Sequence, residues 1–256
     1  MEKQTVIIRN TVIGSGLPKI CVPLVAKDSA DLERALADLK GVPWDLAEWR
    51  VDFYEALDDL EEMRSALQRI RAEAGEKPLL FTFRTALEGG ERFISWEQYA
   101  ALTEWAAGSG LVDLVDVEIG RGSEPVQELI RRIHGRGAYV LASSHDFEKT
   151  PETEKMLGTL RNMQSLGADI SKLAVMPNCR EDVLRLLEVS VSMKERYADR
   201  PFVTMAMGGL GTITRVGAGF DGSAITFGTA GRSSAPGQIP ASQLAGFLRI
   251  LSEDVE

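Results

Sequence analysis

Histidine and cysteine are scarce in this chain, and each scarcity removes a class of chemistry. Only His134 and His145 are present, so a multi-histidine metal centre is excluded. Only Cys21 and Cys179 are present, far apart and without a CxxC pair or zinc-ligand spacing. The expectation is reduced thiols in a cytosolic protein, with no metal. No apolar run approaches the ~20 residues of a membrane-crossing helix. The opening MEKQTVIIRN lacks the apolar stretch of a signal peptide. A soluble, cytoplasmic protein without membrane contact is therefore expected. Basic residues are also in deficit: 29 Lys and Arg against 38 Asp and Glu give a net charge of −9, with no long basic run. That balance argues against nucleic acid as a partner, because phosphate binding needs a basic face.

What the chain does have is a repeating alternation. Short apolar, β-branched runs recur: KICVPLV (19–25), WDLAEWRVDF (44–53), PLLFTFRT (78–85), LVDLVDVEI (111–119), AYVLASSHDF (138–147), DISKLAVMP (169–177), PFVTMAMG (201–208) and GSAITFGT (222–229). Each is bounded by polar, Gly or Pro residues, as a buried parallel strand should be. Helical patterns lie between them. Leu32, Leu36 and Leu39 repeat at helical spacing. Ser95 to Gln98 reads as a capping box, and so does Asn178 to Glu181. Thr150 reads as an N-cap with Pro151 at the first helical position. PASQLAGFLRILSEDVE reads as the last amphipathic helix.

Eight such units in 256 residues predict a (β/α)8 barrel. The seventh unit, GGLGTITRVGAG, is the weakest, and a doubly wound sheet is the alternative. TVIIRNTVIGSG alternates around Asn10 and predicts a hairpin that covers the bottom of the barrel. No linker or low-complexity segment interrupts the pattern, so residues 1–256 are expected to form a single domain.

In a barrel of this kind the site is built at the C-terminal ends of the strands, and polar residues gather there. The second strand ends with Glu48, Arg50 and Asp52 on one face. Arg84 ends the third, with Glu88 in the following loop, and Asp116 and Glu118 lie on the fourth. Ser143, Ser144 and His145 end the fifth, and Lys172 lies on the sixth. Arg215 follows the seventh strand, and Ser234 and Gln238 follow the eighth. Each has a structural alternative. Arg50 and Arg84 can be halves of barrel-mouth ion pairs, with Asp116 and Glu118 as their buried partners. Glu88 can be a solvated loop acid, and His145 a helix cap. His134, near a helix C-terminus, reads as compensating the helix dipole and receives no function.

Lys172 is the sharpest anomaly. Alternation groups it with Ile170, Ala174 and Met176, so it faces the barrel axis. Desolvation there favours the neutral amine, and a neutral amine is a nucleophile towards ketones and aldehydes. The alternative is an interior ion pair with Glu48 or Glu118. His145 on the adjacent strand can take and return a proton beside an iminium, with Glu88 orienting it. Arg50, Arg84 and Arg215 can hold an anionic substrate, Arg215 by a bidentate grip on a carboxylate.

Several long motifs follow in order along essentially the whole chain: DLAEWRVDFYE, LLFTFRTALEGGE, SSHDFEKTP, GADISKLAVMP, MGGLGTITR, GSAITFG and SSAPGQI. With them the sequence resembles type I 3-dehydroquinate dehydratase, the Schiff-base enzyme of the shikimate pathway. The resemblance implies a barrel with an N-terminal hairpin, usually a homodimer, without metal or organic cofactor. It implies dehydration of 3-dehydroquinate to 3-dehydroshikimate. Lys172 matches the imine-forming lysine, His145 the general acid/base of a syn elimination, and Glu88 the acid that assists it. Arg215 matches the carboxylate clamp. Glu48, Arg50, Arg84, Ser234 and Gln238 match substrate-hydroxyl and loop-closing positions, and SSAPGQI reads as a lid. Pro23, Ala206 and Gly209 depart from the usual serine, serine and lysine, which touches peripheral contacts and no group of the mechanism. The rival readings are a class I aldolase on the same barrel and a metabolite-binding barrel without activity.

Overall fold

The computed structural model of the chain describes residues 4–252. Residues 1–3 and 253–256, which include the end of the last helical pattern, lie outside the described residues. The chain opens with an antiparallel hairpin, β1 (Val6–Ile8) and β2 (Thr11–Ile13), whose turn places Arg9 at φ 52°.

Eight parallel strands then form one sheet. They are β3 (Lys19–Leu24), β4 (Leu46–Arg50), β5 (Leu79–Thr82), β6 (Leu114–Glu118), β7 (Tyr139–Asp146), β8 (Ile170–Val175), β9 (Phe202–Ala206) and β10 (Ile225–Phe227). Between and after them come α1 (Ser29–Asp38), α2 (Leu60–Ala74), α3 (Trp96–Ala107), α4 (Ser123–Gly135), α5 (Thr153–Ser165), α6 (Arg180–Ser192), α7 (Thr212–Val216), α8 (Ala218–Asp221) and α9 (Ala241–Ser252). The weak seventh unit is resolved into the two short helices α7 and α8.

The ladder runs β10-β3-β4-β5-β6-β7-β8-β9, so the barrel is all but closed, with a seam between β9 and β10. That seam is bridged by the Ala224 N–H donating to the Phe202 carbonyl at 2.8 Å. The Ser223 hydroxyl bridges it too, accepting from the Thr204 N–H at 3.1 Å and donating to the Ile225 carbonyl at 3.3 Å.

Strand alternation sorts the core into two layers. Leu173 and Val175 face outward into the cluster shared with the helices, and Ile170 and Ala174 face inward. The inner cluster is completed from below by the hairpin, where Val6, Ile8 and Ile13 meet Cys21, Leu46, Leu80, Leu114 and Leu141. These partners lie towards the N-terminal halves of their strands, so the hairpin covers the bottom and leaves the opposite end for chemistry. Arg9 ties the hairpin down through Asp113, at 2.7 Å.

The Ser95 capping box forms as its sequence predicts. Two other helix starts differ. The α5 helix begins at Thr153 with Glu152 at its N-cap, because the Thr150 hydroxyl donates instead to the Met176 carbonyl at 3.1 Å. The α6 helix has Cys179 at its N-cap, because Asn178 is engaged elsewhere. Its N–H donates to Asp182 at 2.8 Å and its side-chain amide to the Glu148 carbonyl at 3.2 Å.

Candidate active site

Lys172 sits on β8 with its side chain inside the barrel mouth, and the residue is 5% exposed. Its Nζ lies over the Phe227 ring, 4.2 Å from the centroid. Among the described residues no carboxylate pairs with it: Glu48 is held by the Thr82 hydroxyl at 2.9 Å, and Glu118 by Arg84 and Thr85. The expected alternative, an interior ion pair, is therefore not formed. Burial lowers the Lys172 pKa, Glu48 and Asp116 oppose the shift, and Arg84 adds to it. Burial is the largest cause, so the apolar wall does more than the cations to favour the free amine.

His145 lies one strand away, where β7 and β8 pair Ser143 with Lys172 and His145 with Ala174. Its side chain is 8% exposed. Glu88, in a single 3-10 turn (Ala86–Glu88) after β5, reaches across to it. One Glu88 oxygen, Oε2, accepts from the His145 backbone N–H at 3.0 Å and lies 2.9 Å from Nδ1. With the proton on Nδ1, the Nε2 lone pair is left for the cavity. Burial, then Arg84, Lys172 and Arg50, hold the His145 pKa well below its usual value. Burial also pushes the Glu88 carboxyl up to about 8, helped by Glu118 and Asp116 and opposed by Arg84.

The turn that carries Glu88 needs its glycines. Gly89 sits at φ +81°, and a Cβ on Gly90 would collide with the Arg84 carbonyl oxygen. The ring of Phe147 fills the space over Gly89 and stacks near His145, with centroids 6.5 Å apart.

The three arginines differ in what satisfies them. Arg50 grips Asp52 through two bonds of 2.9 Å and donates to the Ser234 carbonyl at 3.0 Å. Arg84 donates to Glu118 at 2.9 Å, Ser143 at 3.0 Å and Asp116 at 2.7 Å. Both thus form the barrel-mouth ion pairs that the sequence allowed as their structural alternative. Arg215 is 1% exposed and has no carboxylate partner among the described residues. It donates to the Pro236 carbonyl at 3.1 Å and reaches Met205 Sδ at 3.7 Å, and its Nε has no partner. Burial alone lowers its pKa to about 10. A buried guanidinium without an anion is an unfilled demand for one.

One cavity brings together Glu48, Arg50, Arg84, Glu88, His145, Lys172, Ser234 and Gln238. Arg215 does not line it and stands behind Met205, Phe227 and Pro236. The cavity's apolar wall of Phe147, Met205, Met207 and Phe227 was not singled out from sequence; the inward alternation of Ile225 and Phe227 was the available signal. The segment carrying Ser234 and Gln238 is folded over the mouth. Gln238 accepts from the Ser234 N–H at 3.0 Å and donates to its hydroxyl at 3.2 Å. His134 lies outside the site and pairs with Asp169 at 2.8 Å, which raises its pKa. Among the described residues no cluster of His, Cys, Asp and Glu suits a metal ion.

Fold and site together define a (β/α)8-barrel enzyme whose polar groups converge at the C-terminal strand ends. Residues 20–255 match the Type I 3-dehydroquinase family. The 3-dehydroquinate dehydratase of Syntrophotalea carbinolica is 51% identical over 96% of this chain and 98% of its own length. The type I enzyme of Clostridium difficile, solved with covalently modified comenic acid, superimposes with a TM-score of 0.94 at 43% identity over 99% of both chains. The enzyme of Geobacillus kaustophilus superimposes with a TM-score of 0.95 at 38% identity, covering 100% of this chain and 99% of that one. The chain belongs to the type I 3-dehydroquinase family, whose members are hydro-lyases.

Proposed function

We propose that the chain dehydrates 3-dehydroquinate to 3-dehydroshikimate through an imine at Lys172, with His145 as the proton carrier. The observation that carries this reading is Lys172 itself, a buried amine without a carboxylate partner among the described residues, sharing one cavity with a histidine held by Glu88.

The neutral Nζ attacks the substrate ketone, and the carbinolamine loses water to give the iminium. The iminium draws electrons from the adjacent carbon. His145 Nε2 removes the C2 proton there, leaving an enamine. The enamine electrons expel the C1 hydroxyl, which takes the same proton from His145 and departs as water. One base serving both transfers requires proton and hydroxyl on one face, a syn elimination. Hydrolysis of the conjugated iminium restores the amine and releases the enone.

Glu88 keeps the imidazole proton on Nδ1 and the ring aimed at the cavity. Arg215 answers the substrate carboxylate, which supplies the anion that its burial lacks. For that contact the lid carbonyl of Pro236 must yield part of its hold. Glu48, Arg50, Arg84, Ser234 and Gln238 line the cavity and meet the substrate hydroxyls or the closed lid. No group from outside the chain enters this scheme. The working form in this reading is one barrel domain per chain, paired as a homodimer in the cytoplasm; no helix among the described residues is long and apolar enough to cross a membrane.

The test is reductive trapping. Incubation with 3-dehydroquinate and borohydride should fix an adduct on Lys172 and end turnover, and Lys172→Ala should give neither adduct nor enone absorbance. An adduct mapped to another lysine would refute the assignment.

A further inference from the structure

Arg84 stands at the centre of four acidic side chains. Its Nη2 donates to Asp116 at 2.7 Å and its Nη1 to Glu118 at 2.9 Å, both carboxylates on β6 and both buried. Its backbone N–H faces Asp52, which already holds Arg50. Glu88 is left the remainder, 3.7 Å from Nη1 and outside hydrogen-bond reach.

The arrangement at β6 is built to last. Glu118 also accepts from the Thr85 N–H at 2.8 Å and from its hydroxyl at 2.7 Å. Asp116 also accepts from the Ser143 hydroxyl at 2.7 Å, and Tyr99 on α3 holds the β6 backbone between the two acids. None of these contacts reaches the cavity's reacting groups. Their joint effect is electrostatic: the two carboxylates offset, from the far side, the pull that the Arg84 guanidinium still exerts on Glu88 at 3.7 Å.

We propose that Glu118 and Asp116 are positioning residues for the proton-transfer pair: by claiming Arg84 they set the pH range over which Glu88 and His145 can accept the substrate proton. The argument rests on the proposed role of His145 as base. The remaining charged groups face the pair from the His145 side, Lys172 on β8 and Arg50 on β4. They disfavour a proton on the ring and leave the carboxyl of Glu88 as the place where extra protons go. A full Arg84 counter-charge would hold that carboxyl ionised to lower pH, and the base would work over a wider acidic range.

Glu118→Gln is the decisive variant. A glutamine keeps an acceptor for Arg84 and the Thr85 N–H and can donate to the Thr85 hydroxyl, so the geometry survives while the charge goes. Lys172 feels Asp116 but not Glu118 among its principal neighbours, so this variant leaves the amine aside. The acidic limb of kcat/KM should move down by about one pH unit, as expected for removing one charge at close range. On the alkaline plateau kcat should stay within a few-fold of the parent. Asp116→Asn acts on Lys172 as well, so if Glu118→Gln does not fold the test is carried by the titration of Glu88 itself in Asp116→Asn, which should shift the same way. Carbon-13 titration of the Glu88 carboxyl, followed by NMR in the parent and the variant, reads the same shift without turnover. It therefore stands even if the reaction assignment fails. A loss of kcat with an unmoved limb and an unmoved Glu88 titration would overturn the proposal, as would a shift to higher pH.

Discussion

Arg215 and His145 are the residues whose surroundings make the sharpest demands. Arg215 is the buried arginine whose charge has no carboxylate opposite it among the described residues. Truncation of one partner in a buried charge contact costs about 2–5 kcal/mol. Arg215→Ala should therefore lower kcat/KM by about 100-fold or more, mostly through KM. Arg215→Lys should recover only part, because a point charge does not reproduce the fork. Steady-state kinetics decide this, and an unchanged KM would remove the carboxylate role. The pH dependence follows from the pair. Glu88 is raised to about 8, so below that pH the Glu88–His145 pair holds a second proton. That proton either charges the ring or turns Glu88 into a donor and moves the ring proton to Nε2. Both outcomes remove the basic lone pair. kcat/KM should thus fall about tenfold per pH unit on the acidic side, and a flat profile into mildly acidic pH would count against the histidine.

At the scale of elements, each outcome depended on whether the deciding contact was local. The strands were legible because burial on both faces leaves an unbroken apolar, β-branched signature. The Ser95 cap was legible because both partners lie within four residues. Its loss in Ser95→Ala should cost about 1 kcal/mol in urea unfolding, with activity intact. The caps assigned to Thr150 and Asn178 failed because their side chains bond across to neighbouring loops, which no local window reports. The site divides the same way. Strand-end alternation placed the polar residues, including the inward face of Lys172. The sharing of Arg84 among several acids, and the support from Tyr99 on α3, arise from contacts made only when the barrel closes. The 3-10 turn bearing Glu88 offers an element-scale check. Gly90→Ala drives a Cβ into the Arg84 carbonyl, so the turn must shift. Displacement of a reacting group by about 1 Å can cost 10²-fold. A large drop in kcat is expected, and full activity would mean that the turn's position is not critical.

The whole molecule carries a charge its interior does not want. Asp221, at the end of α8, is 1% exposed; one oxygen accepts from the Ser223 N–H at 2.9 Å and the other has no partner among the described residues. Burial raises its pKa from 3.8 to about 7. The folded form thus holds a proton that the unfolded chain releases near pH 4. The stability this gives is fully present below that pH and is lost as pH rises through about 7. Asp221→Asn removes the dependence. Measured by thermal or denaturant unfolding, the variant should gain on the parent by a few kcal/mol between pH 4 and 8. Parallel curves would show that the carboxyl is not buried as charge.

Asp221 holds the N–H of Ser223, the residue whose hydroxyl bridges β9 and β10. Elsewhere round the barrel, neighbouring strands are joined by ladders; here, among the described residues, the strand edges are joined by one main-chain bond and a side-chain oxygen. Arg215, following β9, also reaches the Phe227 carbonyl of β10 at 3.5 Å. An anion bound by that guanidinium would fasten the two edges from above. Opening is cheapest where fewest bonds must break. The amide of Ala224 should therefore exchange with deuterated water faster than ladder amides of the inner strands, and slow measurably when substrate or a carboxylate analogue fills the mouth.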